Sequence, residues 1–471
     1  MRNNPFRPED ELKELLSKYS NLRLGKSHSY IDEEGFEAII NYYDDIDKYN
    51  LALEAVNLAL EMYPSSASLL VKKGGVLISL KKYHDAINYL DMASIFDSSD
   101  TNIFILKTEA YLALDEQAKA AALLEDALQF FEGAEKIELL FELTDVYDDY
   151  EEFDKLFNCL KLIIELDPEN EEALFKMCFW ADFSGRYEES IELYKKAIDQ
   201  SPYNKLLWFN LGSVFQSMKL FEKAIDAYLY ATAIDDKFEF AYHNLGYAYM
   251  QSKKYKLAIE ALEKAMELFV PEADVYVSIG DCYNKLNNFA QARFYFKKAS
   301  HLDPELGSFH YYIAITYMNE YNWQMAVKSL TLATKLDGMK ADYEIALGRC
   351  FFHLDDIAEA INHFANVVKL KPKVQSGWIE LLKTLFYAEL HEQGSEYSSI
   401  AYIETNAKPI FIFFKAMFLI ESSKIKEGLE VLETGLMKNP QLVKKIIDID
   451  PRLLHLPKVA ELISRYKKKR S

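Results

Sequence analysis

The chain has 471 residues, half of them hydrophobic, and a formal net charge of −20 at neutral pH. That balance excludes a disordered chain, which buries too little apolar surface to fold, and a nucleic-acid binder, which needs basic stripes against phosphate. Glycine and proline number only 16 and 12 while tyrosine and phenylalanine reach 32 and 30, a composition suited to helices packed through large rings.

The first 32 residues hold one short helical pattern, PEDELKELLSKY, and then a polar stretch, NLRLGKSHSYIDEE. No apolar run here could act as a signal peptide. No uncharged apolar run of membrane-spanning length occurs further on either, since PIFIFFKAMFLI is broken by Lys415. The four cysteines (Cys159, Cys178, Cys282 and Cys350) are widely spaced and form no CxxC, which fits a reducing compartment. A cytoplasmic protein with no membrane contact is expected.

From residue 33 a spacing of 34 residues takes over. Trp208, Leu211, Gly212 and Phe215 recur as Tyr242, Leu245, Gly246 and Tyr249, and again as Tyr276, Ile279, Gly280 and Tyr283. Twelve units keep this phase across 33–442, the third (101–136) being two residues longer. Position 8 of the unit is small in ten of the twelve, and position 20 is Ala, Ser or Gly in eleven. Six of the twelve prolines fall at position 32, where the ring stops the second helix. A glycine inside a helix costs about 1 kcal/mol relative to alanine. Gly212 is therefore expected at a close crossing, where small residues at 8 and 20 face each other and large residues at 4, 11 and 24 fill the space around them.

This period and signature resemble the tetratricopeptide repeat, a helix–turn–helix unit. The resemblance implies an all-α fold, a right-handed superhelical solenoid of antiparallel helix pairs in which each unit buries its apolar face only against its neighbours. The unit 375–408 matches least, with Leu382 at position 8 and a polar second helix, EQGSEYSSIAYIETNA, so a local irregularity is expected there. Residues 1–32 and 443–471 are expected to cap the array, the second through a helix, RLLHLPKVAELISRYKKKR, that ends in a basic tail.

At 100° per residue, positions 4, 7, 8 and 11 of the first helix (helix A) share one face, and positions 2, 5, 9, 12 and 13 cluster roughly opposite. In tetratricopeptide proteins the second face lines a concave groove that binds peptides. Along the chain it is acidic first, with Glu37 and Asp44 in the first unit and Asp145 and Asp148 in the fourth. It is then aromatic, with Phe175, Phe179 and Phe183, then Phe209 beside Ser213, then Phe240, His243 and Tyr247, and Tyr311 in the ninth unit. The tenth and eleventh units mix aromatic and basic residues: Arg349, Phe352, His353, Lys383, Phe386 and Tyr387. A contiguous aromatic patch suits an extended peptide or an amphipathic helix. The alternative is that curvature buries these rings against the next unit.

The clamp by which some family members grip heat-shock chaperone tails needs Lys at position 5 and Asn at position 9. Position 5 is never Lys here, and the one Asn at position 9, Asn41, is paired with Glu37, so that partner is not expected. No GxGxxG, GxxxxGK[ST] or HExxH occurs, and acidic runs such as DVYDDYEEFD lack calcium-loop spacing, so no enzyme, metal or cofactor is expected. The expectation is a non-enzymatic scaffold for a protein or peptide. The alternative is a chaperone-like factor that holds an unassembled or nascent client. RNA-binding helical repeats need a longer period and basic inner positions, and this chain has neither.

Overall fold

The computed structural model describes residues 8–26 and 30–468. Residues 1–7 and 27–29 of the expected N-terminal cap, and 469–471 of the expected basic tail, lie outside the described residues.

Helices begin where side chains can cap them. Asp32, Ser66, Asp100, Asn170 and Asn204 each accept a hydrogen bond from a backbone N–H two or three residues on, satisfying a donor that the first helical turn leaves open. A leading helix, Pro8–Arg23, precedes helix pairs that run from Glu33–Asp45 with Tyr49–Met62 to Ile410–Glu421 with Ile425–Lys438. These pairs fit about twelve repeats. A short helix, Val443–Ile447, and a last one, Pro457–Lys468, follow. Among the described residues there is no strand, and no helix is long and apolar enough to cross a membrane.

One turn geometry joins helix A to helix B (the second helix) throughout. Position 15 adopts left-handed backbone in every unit, from Asp47 (φ 57°) to Ser423 (φ 62°), and only Gly185 among them is a glycine. The two extra residues of the third unit are absorbed between pairs. Its helix B, Gln117–Ala127, is shortened, and Gly133 (φ 61°) opens the long helix Gly133–Asp149.

The chain forms two compact units, Met1–Ala241 and Tyr242–Ser471. Both use one packing seam. A Cβ on Gly212 would lie 2.6 Å from the Tyr228 ring, and one on Gly348 would lie 2.7 Å from the Phe364 ring. The residue at position 24 thus fills the notch left at position 8. The expected approach of positions 8 and 20 goes with it: a Cβ on Gly428, at position 20, would lie 3.2 Å from the Ala416 carbonyl, at position 8. Close approach of position 20 follows from the seam, as where a Cβ on Gly246 would lie 3.4 Å from the Ala258 carbonyl. In the eleventh pair the sizes are exchanged: Leu382 stands at position 8 and Ser398 at position 24, both fully buried. The polar second helix there, His391–Glu404, forms without a break, and the irregularity is confined to left-handed Asn406 and Ala407 in the turn after it. The indoles of Trp208 and Trp378, both at position 4, donate to the carbonyls of Pro202 and Pro372 at 2.9 and 2.7 Å, tying each helix A to the turn before it.

In the second unit, Val443, Ile446, Leu453, Val459, Leu462 and Ile463 join the core of the last pairs. They accompany burial of Ile410, Met417 and Ile420, which sit at helix A positions 2, 9 and 12.

Candidate partner-binding face

Within the compact unit Met1–Ala241, Phe175, Phe179 and Phe183 lie four residues apart on the helix Glu171–Ser184 of the fifth pair, and so fall in one line along its surface. They are 76%, 61% and 57% exposed. Two of the rings are braced by neighbours. Phe179 and Phe183 stack at 5.9 Å, Phe183 meets Phe153 edge-on at 5.0 Å, and Phe179 meets Trp180 edge-on at 5.1 Å. Such contacts hold the rings in place without covering their outer faces.

One carboxylate reaches this helix through an ion pair. Asp145 is exposed and takes a 3.2 Å ion pair from Lys176, whose ammonium also lies 5.2 Å from the centre of the Phe141 ring. Asp148 is exposed. Burial pushes the Glu142 carboxyl above its ordinary value, and the charges of Asp145 and Glu138 add to the effect. In the first pair, Glu37 accepts a hydrogen bond from the Ser68 hydroxyl, and Asp44 is raised by burial and by Asp45.

Other expected residues are engaged in packing. Phe209 is half-buried, with its ring 5.8 Å from Tyr228 and 5.2 Å from Phe238. Ser213 is half-buried and shares a hydrogen bond with Cys178, whose thiol burial raises. In the second unit, His243 is exposed and Tyr247 is 42% exposed. Tyr311 is half-buried between Tyr312 and Tyr343, at 6.0 and 5.2 Å, and burial raises its hydroxyl. Phe175 and Phe179 are thus brought together, while Phe209, Ser213 and Tyr311 serve the interior as much as the surface.

Burial holds the thiols of Cys159, Cys282 and Cys350 up at about 12, far from a nucleophile's range. Among the described residues no three His, Cys, Asp or Glu side chains group as a metal site would require. Residues that sequence reasoning missed lie past the last repeat: Lys445, Asp448 and Ile449 line a cavity together with Arg349, Lys383 and Tyr387. No periodic signal marks them, because they stand outside the array.

Sequence profiles of the tetratricopeptide repeat match residues 207–238 and 238–305, and a TPR-repeat profile matches 184–219. No curated protein has a sequence that matches the chain. Several solved structures are similar in fold. A chain of the APC/C hetero-tetramer Cut9–Hcn1 is 12% identical with a TM-score of 0.37, over 88% of this chain and 98% of that one. YrrB, described as a TPR protein with an unusual peptide-binding site, is 21% identical with a TM-score of 0.34, over 39% and 95%. The C-terminal part of a TPR repeat-containing protein from Cytophaga hutchinsonii is 13% identical with a TM-score of 0.44, over 54% and 98%. With helix pairs of one period and one seam on either side of the matched residues, the chain is a tetratricopeptide-repeat protein of about twelve repeats.

Proposed function

We propose that the chain is a non-enzymatic protein-interaction scaffold and that Phe175, Phe179 and Phe183 seat apolar side chains of a protein or peptide partner. The observation that carries this reading is the exposure of three large rings in one line on a single helix. Exposed apolar surface gains about 25 cal/mol per Å² when a partner removes it from water. Scattered exposed rings are ordinary, whereas a contiguous ridge is a recognition feature. Asp182 stands on the ridge's own helix and Asp145 is tied to it through Lys176, so the partner strip is apolar with basic residues at its margin. His243 and Tyr247 are secondary candidates within the second unit. On this reading 33–442 is the repeat array, 1–32 and 443–471 are its caps, and four unpaired thiols support a reducing, cytoplasmic compartment.

The test compares wild type with Phe175→Ser/Phe179→Ser in quantitative affinity capture from native extract, with thermal melting as the control for folding. The reading expects one stoichiometric partner to fall at least tenfold in the variant while melting is unchanged. A broad set of unfolded clients that falls together would favour the client-holding role. An unchanged set of captured proteins would sink the ridge as the binding site.

A further inference from the structure

Within the second unit, helix A of the twelfth pair is closed over at positions 2, 9 and 12, while Arg349 and Lys383 at position 9 of the tenth and eleventh pairs are not. The chain that covers the twelfth pair continues past the short helix Val443–Ile447. From that helix and the two residues after it, Lys445, Asp448 and Ile449 reach the edge of a cavity of about 490 Å³. The other walls come from the helices Ala341–His353 and Gln375–Tyr387, with Phe364 of Ile357–Leu370 at the floor.

The charges in this cavity are unevenly matched. Arg349 donates to Glu380 through Nη2 at 2.7 Å and Nε at 3.3 Å, which occupies that carboxylate. Lys383 is half-buried and Lys445 exposed, and among the described residues neither makes an ion pair. Two ammonium groups therefore face one remaining carboxylate, Asp448, in a chain whose net charge is −20. A partly desolvated ammonium without a counter-ion gains from any carboxylate brought to it. One wall is aromatic and held in place: Phe352 and Tyr387 meet at 5.4 Å and 60°, and His353 stacks on Trp323 at 4.1 Å and 9°.

We propose that this cavity receives an acidic peptide segment of a partner protein, with carboxylates on Lys383 and Lys445 and an aromatic side chain against Phe352 and Tyr387. Charge complementarity selects the occupant, since the lysines repel a basic strip and the walls reward a ring between the acids. The turn after Val443–Ile447 closes one side, so a short stretch fits better than a long helix. The proposal does not rest on the phenylalanine ridge, which lies in the other unit.

The probe is a fluorescein-labelled peptide, Asp-Glu-Asp-Phe-Glu-Asp, with its Asn/Gln counterpart as the neutral control, read by fluorescence anisotropy on the full chain. The acidic probe should bind saturably, weaken at least tenfold in Lys383→Glu/Lys445→Glu, and weaken as salt rises. Phe175→Ser/Phe179→Ser should leave it unchanged, which separates failure of this site from failure of the ridge. Equal binding of the neutral peptide, no saturable binding, or undiminished binding to the lysine variant would each overturn the proposal. So would sedimentation showing that the lysine variant abolishes self-association, because the occupant would then be a second copy.

Discussion

The A-helix faces of the fifth pair and of the tenth and eleventh pairs hold similar rings in different electrostatic settings. Beside Phe175 and Phe179 stand Asp182 and the Asp145–Lys176 pair, whereas around Phe352 and Tyr387 Arg349, Lys383 and Lys445 outnumber Glu380 and Asp448. Beneath the two faces the seam keeps its place but varies in its residues: a ring at position 24 meets Cys178 in the fifth pair and Gly348 in the tenth, and the eleventh exchanges the sizes with Leu382 and Ser398. The difference teaches that positions 9, 12 and 13 are free to diverge because they take no part in the seam. A repeat array conserves its spacing through a few close contacts and leaves the remaining surface to its partners.

The comparison breaks most sharply if the seams are not equivalent. Gly212→Val and Gly348→Val each push a branched side chain into space that a ring already fills. Each should destabilise its own unit by about 3 kcal/mol, the upper range for overpacking. Urea unfolding followed by hydrogen exchange checks this, with protection falling first in Lys205–Ser217 for one variant and in Ala341–His353 for the other. A large effect at one glycine and none at the other would mean that only one region is built on the seam.

Much of this plan was legible in the residues themselves. Small side chains at positions 8 and 20 and prolines at 32 carry the period, because each type has a steric reason to stand where it does. The fate of individual rings was not legible. Phe175 and Phe209 both occupy position 5 and are the same residue, yet one is exposed and the other half-buried. The cause is position 34 of each unit. In the sixth unit it is Phe238, whose ring covers Phe209, whereas in the fifth it is Asn204, engaged in capping the next helix. The left-handed turn at position 15 was equally hidden, because Asp, Lys, Glu, Asn, Tyr and Ser all occupy it. The cavity wall at Lys445 needed the tertiary path of the chain past its last repeat.

Two buried or crowded carboxylates sharpen the electrostatic side of the comparison with opposite signs. In the second unit, Glu344 is 2% exposed; burial pushes its carboxyl up, and hydrogen bonds with His363 (2.9 Å) and from Asn366 (3.0 Å) more than reverse this. Its folded-state value is therefore depressed, so its contribution to stability is present above the ordinary carboxylate range and is lost as pH falls through the depressed value. In the first unit, Glu142 is raised instead, so its ionisation opposes folding at neutral pH, and the cost is relieved as pH falls through the raised value. Glu344→Gln should cost about 2 kcal/mol at pH 7 by removing a charged hydrogen-bond acceptor. Glu142→Gln should stabilise by about 0.5 kcal/mol or less, as expected for a partly exposed site. Melting curves at pH 7 and pH 4 check both, and the gap between each variant and wild type should shrink at the lower pH. Effects of the same sign in the two variants would refute the contrast.

The smallest expected effect tests whether the two regions share their turns as they share their seam. A non-glycine residue in left-handed backbone costs about 1 kcal/mol, and a glycine placed there returns roughly half of that gain to the greater freedom of the unfolded chain. Glu151→Gly in the first unit and Glu389→Gly in the second, at φ 58° in both, should therefore each stabilise by about 0.5 kcal/mol. The reverse change at Gly185 (φ 66°), to alanine, should destabilise by about 1 kcal/mol. Thermal midpoints measured in parallel resolve these shifts. If the first-unit glycine stabilises and the second-unit glycine does not, Glu389 must make a contact that outweighs its backbone cost. Its nearest charged neighbourhood includes Arg452, which already serves Asp450, so that outcome would show the C-terminal segment bracing the eleventh turn as well as the twelfth pair.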